Sequence, residues 1–132
     1  MFKQLVSSGS PWEPVVGYSR AVRAGNLIFV AGTTASGPDG SALFPGDVYA
    51  QAREVYKRIG AALQAAGATL QDVTMTRHYV VDISQWEDIG RAHGEVFGEI
   101  RPVTSMVEVK RLIDPALLVE IEAIAVVSSE KE

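Results

Sequence analysis

The sequence predicts an α/β domain of the α+β kind, with one mixed β-sheet and two helices on one of its faces. Three observations predict it. Segments with strand-like composition recur along the chain, two longer segments carry helical signals, and each of those two lies between strand-like neighbours. The length agrees: 132 residues, 47% hydrophobic and 21% charged, make one domain over residues 1–132 with enough apolar mass for a core.

In chain order, the Gly, Pro and Ser clusters at 7–14 and 35–46 punctuate structured pieces. Between them, Tyr18 to Gly25 and Asn26 to Thr33 read as two strands joined by a tight Gly25-Asn26 turn. A short extra strand over Lys3 to Val6 is the one optional element. Asp47 is placed as an N-cap, and Val48, Ala52, Val55, Ile59, Ala62, Leu63 and Ala66 follow it on one helical face, with Gly67 where a left-handed C-cap belongs. Asp72 to Asp82, rich in Val, Thr and Tyr, reads as a strand. Ser84 to Glu87 has the spacing of a capping box and opens a second helix with Trp86, Ile89, His93, Val96 and Phe97 near one face. Val103 to Lys110 and Leu117 to Val127 close the chain as two strands around an Asp114-Pro115 turn. A two-layer sheet leaves its second face bare. If that face is apolar, another chain must cover it, and a homo-oligomer follows.

Composition removes several function classes. There is no cysteine, hence no disulfide framework, thiolate zinc site or thiol nucleophile. His78 and His93 are fifteen residues apart and belong to no metal-ligand spacing, so no metal is expected. The longest apolar runs, Leu27 to Ala31 and Ala123 to Val127, have five residues each, against roughly 20 for a membrane span. The opening residues lack the pattern of a signal peptide, so the expected address is the cytoplasm, with no membrane partner. A net charge of −4 argues against nucleic acid as a partner. Neither a Walker loop, a dinucleotide fingerprint nor a G-x-S-x-G elbow is present.

The candidate chemistry lies on the strands. Alternation over Leu117 to Val127 puts Glu120 and Glu122 on one largely apolar face, about 6 to 7 Å apart, and Glu108 on the preceding strand is a candidate to join them. Partial burial and mutual repulsion would raise a carboxyl pKa and make one of them a general acid or base; the structural alternative is that they reach solvent at the sheet edge or pair with Lys110 and Arg111. Arg77 and Tyr79 share one strand face and His78 takes the other. His93, on the apolar stripe of its helix, reads as a hydrogen-bonded core or interface residue. Arg101, just before a strand, is either a carboxylate-binding cation or a solvated charge.

Four stretches together resemble the Rid family of reactive-intermediate deaminases, also called the YjgF or RidA family. They are Val16 to Val22 with Tyr18; Leu27 to Thr33 with Gly32; Gln51 with the helix ending at Gly67 and running on to Asp72 and Val73; and Pro102 to Val109 with Glu108, followed by Val119 to Ala125 with Glu120 and Glu122. The resemblance spans about residues 15 to 127. It implies a chorismate-mutase-like fold assembled as a homotrimer, with sheets lining a barrel-like core and small-molecule clefts between subunits. For the deaminase branch it implies cofactor-free hydrolysis of enamines and imines such as 2-aminoacrylate to 2-keto acids and ammonia. In that branch an arginine of a P-A-R-S stretch holds the substrate carboxylate, the first glutamate of an E-I-E stretch positions water or moves protons, and an early tyrosine lines the cleft. Tyr18 and Glu120 match; the arginine position is Thr104. Gly90, Ala31 and Met106 stand where the family usually has asparagine, serine and cysteine. A threonine hydroxyl cannot replace a guanidinium fork, so the standard carboxylate clamp is missing unless Arg101 or Arg77 supplies one.

The resulting expectation is a trimer acting on an enamine, imine or related carbonyl metabolite without a cofactor. Glu120 is the catalytic group, and Tyr18, Thr33, Thr104, Ser105, Met106, His93 and Arg101 are ligand contacts. The alternatives are a non-catalytic metabolite-binding or regulatory trimer and, more weakly, an endoribonuclease, which the acidic chain and the lack of a basic aromatic platform disfavour.

Overall fold

A computed structural model describes residues 3–128. Its strands are β1 (Lys3–Val6), β2 (Ala21–Ala24), β3 (Leu27–Thr33), β4 (Val73–Val80), β5 (Val103–Glu108) and β6 (Val119–Val126). Its helices are α1 (Trp12–Val16), α2 (Val48–Ala65) and α3 (Trp86–Phe97). The strands form one mixed sheet in the order β1-β2-β3-β6-β4-β5, antiparallel throughout except for the parallel β4–β5 pair at one end. The two-residue Gly25-Asn26 turn forms as expected, with Ala24 opposite Leu27 and Gly25 at φ 65°.

Helix α2 begins where Asp47 accepts the Ala50 amide, and its apolar stripe of Val48, Ala52, Val55, Ile59, Ala62 and Leu63 is buried. Gly67 follows at φ 88°, as the left-handed end requires. With α3 it covers one sheet face, where Ile28, Val30, Val80, Val119, Ile121, Ala123 and Ala125 complete the core. Buried Gln51 fixes two loops onto this layer: its amide nitrogen donates to the Leu43, Phe44 and Ala116 carbonyls, and its oxygen accepts the Leu118 amide.

Four local expectations are corrected. Ser84 to Glu87 is not a capping box; Asp82 accepts the Ser84 amide and hydroxyl and starts a 3-10 turn over Ile83–Gln85 that runs into α3. Trp86 leaves the apolar stripe and is 55% exposed. The last two strands are not neighbours, because β5 runs parallel to β4 after the α3 crossover and β6 returns between β3 and β4. Glu108 therefore does not join Glu120 and Glu122: β4 separates them, and its carboxylate instead accepts the Ile83 amide. The short helix α1 inside the Ser7 to Pro14 cluster was not anticipated; buried Glu13 holds it by accepting the Ser8 amide and hydroxyl.

The uncovered face is apolar at its margins. Leu5, Leu27, Phe29, Val103, Val107 and Val126 stand exposed there, by alternation and register with their buried neighbours.

Candidate functional site

Two polar clusters hold most of the predicted residues. The first lies on the uncovered face. Strand β3 carries a bulge against β6: Val30 pairs with Ala123 and Thr33 with Ile121, so Ala31 and Gly32 together oppose Glu122. The bulge brings the Gly32 backbone against the Glu120 side chain. A Cβ on Gly32 would fall 2.9 Å from Glu120 Cδ and nearer still to Oε2. Arg20 braces the bulge from the β2 side, donating to the Gly32 carbonyl (3.1 Å) and to Thr33 Oγ1 (2.8 Å). Its guanidinium also lies 5.8 Å from the centre of the Tyr18 ring. Thr33 is buried and its hydroxyl donates to the Ala31 carbonyl, so its polar capacity is taken up within the bulge.

The two carboxylates of β6 have different environments. Glu122 accepts from the Tyr79 hydroxyl (2.8 Å) and from Arg77 (3.2 Å), which are its partners rather than Lys110 and Arg111. The Glu120 carboxylate accepts no hydrogen bond among the described residues. Burial, and then the neighbouring Glu122 charge, push its pKa above the ordinary carboxylate value, with Arg20 opposing. It is therefore the carboxyl of this face with proton affinity to spare.

The second cluster lies beneath the helices, where β4 meets β5. Tyr56 of α2 reaches His78 Nε2 at 2.8 Å. The His78 Nδ1 faces the Ser105 carbonyl at 3.1 Å and Thr104 Oγ1 at 3.4 Å. Thr76 donates to Thr104 Oγ1 (2.8 Å) and meets His93 Nε2 at 2.9 Å. Tyr56, His93 and Phe97 stack edge-on or tilted around the same point. Burial lowers the His78 pKa to about 4 and lowers that of His93 as well, so both rings are neutral at pH 7. Met106 packs against the core beside them.

The structure thus groups Tyr18, Thr33 and Glu120 in one cluster and His93, Thr104, the Ser105 carbonyl and Met106 in the other. Within one chain it does not bring the two groups together. Arg101 joins neither by any hydrogen bond: it is exposed, sits at φ 58°, and its amide closes the end of α3 on the Phe97 carbonyl. Sequence reasoning missed Arg20, although Tyr18-x-Arg20 already has the spacing of neighbours on one extended face. It also missed Tyr56 as the partner of His78, a contact between residues 22 apart that no local pattern signals.

Among the described residues no group of three or more His, Asp or Glu is placed to hold a metal ion, and no helix is long and apolar enough to cross a membrane.

Residues 9–127 match the profile of the family described as Endoribonuclease L-PSP. A RutC family protein from Pyrococcus horikoshii is 37% identical over 93% of this chain and 97% of its own length. Among solved structures, a YjgF/YER057c/UK114 family member from Mycobacterium tuberculosis is 57% identical, with TM-score 0.87 over 96% of this chain and 100% of that one. The YjgF product of Escherichia coli is 31% identical, with TM-score 0.80 over 93% and 98%.

Proposed function

The chain belongs to the Endoribonuclease L-PSP family, also called YjgF, RutC or Rid, and from that premise we propose that it hydrolyses enamine, imine or related carbonyl metabolites without a cofactor. The working form is a cytoplasmic homotrimer with a small-molecule cleft between subunits, and the chain belongs to a branch that lacks the carboxylate-binding arginine. The observation that carries the reading is Glu120: half-buried, raised in pKa, its carboxylate without a hydrogen-bond partner among the described residues, and set so close to the Gly32 backbone that a Cβ there would collide with it.

In the proposed reaction Glu120 gives its proton to the imine nitrogen, and the carboxylate then accepts a proton from the water that attacks the carbon. Glu120 passes that proton to the nitrogen of the resulting carbinolamine and takes up the hydroxyl proton as the C–N bond breaks, which releases ammonia, leaves the carbonyl product and returns Glu120 to its protonated form. Arg20 acts electrostatically on Glu120, lies beside the Tyr18 ring, and holds the bulge through two hydrogen bonds. Thr104, Ser105, Met106 and His93 contribute the opposite wall, from a neighbouring subunit. Arg101 stands two residues before β5 and three before Thr104, as a rim contact.

A second reading, a binding or regulatory trimer, is favoured by one feature: no guanidinium hydrogen-bonds to Thr104 or its partners among the described residues. The RNA-cleaving activity in the family's description finds no support in a chain of net charge −4. The deciding experiment generates imines and enamines in situ from several amino acids and follows their hydrolysis by purified protein beside Glu120→Gln. We expect Glu120→Gln to lower the rate by about 10² to 10⁴-fold. Folded, trimeric protein that accelerates none of them would leave the binding reading in place of the catalytic one.

A further inference from the structure

The proton order in the second cluster can be read from its geometry. The Ser105 carbonyl can only accept, so His78 Nδ1, 3.1 Å away, carries the hydrogen. The ring is neutral, which makes Nε2 the acceptor and Tyr56 O–H the donor at 2.8 Å. The Thr76 hydroxyl hydrogen goes to Thr104 Oγ1, so at the 2.9 Å contact between Thr76 and His93 it is His93 Nε2–H that donates. Thr104 Oγ1 thus receives the Thr76 hydrogen and, weakly, that of His78. Its own hydroxyl hydrogen has no acceptor among the described residues, and the side chain is exposed on the terminal strand of the sheet.

We infer that Thr104 is a preorganised neutral donor, aimed outward by Thr76 and His78, and that the ligand it takes presents an uncharged acceptor, a carbonyl oxygen or imine nitrogen, rather than a carboxylate. Every member of the cluster is neutral, and none hydrogen-bonds to a charged side chain. A carboxylate bound there would lose its hydration and gain one neutral hydrogen bond, which is a poor exchange where neither Arg101 nor Arg20, the latter held by the Gly32 carbonyl and Thr33, hydrogen-bonds to the cluster. A ketone, amide or neutral imine loses much less. The inference rests on the proposed cleft and names its substrate class: neutral derivatives such as amides or esters of 2-imino and 2-keto acids, rather than the free acids. Thr76, His78, Tyr56 and His93 are positioning residues.

The test uses two probes of the same shape, pyruvamide and pyruvate, titrated into the assembled protein by amide NMR. Pyruvamide should bind about tenfold tighter than pyruvate. Thr104→Val, which keeps the shape and removes the hydroxyl, should abolish that preference, and Thr104→Ser should retain it. Thr76→Val should weaken pyruvamide several-fold, with Thr76→Ser restoring it, while the ¹⁵N shifts of His78 keep the Nδ1–H tautomer in each of these variants. Equal or tighter binding of pyruvate, an unchanged affinity in Thr104→Val, or binding of neither probe would overturn the inference. Glu120-dependent hydrolysis of imines that survives any of those results would overturn the inference alone and leave the proposed function standing.

Discussion

Gly32→Ala separates the position of the Glu120 carboxylate from its presence. The added methyl would lie 2.9 Å from Glu120 Cδ and 3.2 Å from Cγ, inside the 3.4 Å where ordinary contact begins, and nearer still to Oε2. The three nearest atoms all belong to the Glu120 side chain, so Glu120 can swing away while the backbone stays. The carboxylate must then withdraw by on the order of 1 Å, a misplacement that costs about 10²-fold when proton transfer depends on it. The structural cost is only an off-rotamer side chain, about 0.5 to 1.5 kcal/mol, or a few degrees in Tm. The assay pairs kcat/KM for in situ imine hydrolysis with thermal denaturation of the same preparations. A Gly32→Ala variant that loses activity almost as fully as Glu120→Gln while staying folded fits the argument. One that keeps activity within about threefold of wild type while Glu120→Gln is dead would refute it, because proton transfer would then tolerate a displaced carboxylate.

Two further outcomes follow from the same surfaces. Because burial and Glu122 raise the Glu120 pKa above 4.5, stability associated with its protonated form is fully present below about pH 4.5 and is lost as pH rises through the folded value. Glu120→Gln should therefore have a higher Tm than wild type at pH 7 and no advantage near pH 4; a constant difference in denaturation scans across that range would contradict the shift. Phe29, 45% exposed on the uncovered face and opposite Ile124, should be buried between subunits, so Phe29→Asp should elute as a monomer in light-scattering chromatography. A persisting trimer would place the interface elsewhere.

Much of the fold was legible because its signals are local. Asp47 as a cap, the α2 stripe and the Gly25-Asn26 turn each lie within a few residues of what they determine. The bare second face followed from counting layers. What failed was non-local or competitive. β5 and β6 look like a hairpin in sequence, yet the β4–α3–β5 crossover sets β5 parallel at the edge, and nothing in either strand encodes that choice. At the start of α3 both Ser84 and Asp82 can cap, and Asp82 wins because a carboxylate accepts the Ser84 amide and hydroxyl at once. Glu120 could be singled out by alternation and burial. That Glu122 would be neutralised by Arg77 and Tyr79, leaving Glu120 alone, needed the β4–β6 register. The Arg20 brace and the Tyr56–His78 contact likewise join segments that no spacing rule connects.

The sheet order also constrains how any cleft can be built. Glu120 lies on β6 and faces the uncovered side, whereas Thr104 lies on β5 and shares the covered side with Thr76, its partner in register. Two strand spacings, about 10 Å, and the thickness of the sheet separate the residues within one chain. No side-chain rearrangement closes that gap. A ligand of a few heavy atoms can touch both only if one subunit supplies Glu120 with its bulge and another supplies the edge strand with Thr104. The apolar margin of the uncovered face and the open edge of β5 are the surfaces such a contact would use, so assembly and chemistry are one requirement in the proposed cleft. On this argument a monomeric Phe29→Asp protein loses Glu120-dependent hydrolysis although every residue of both clusters remains in place.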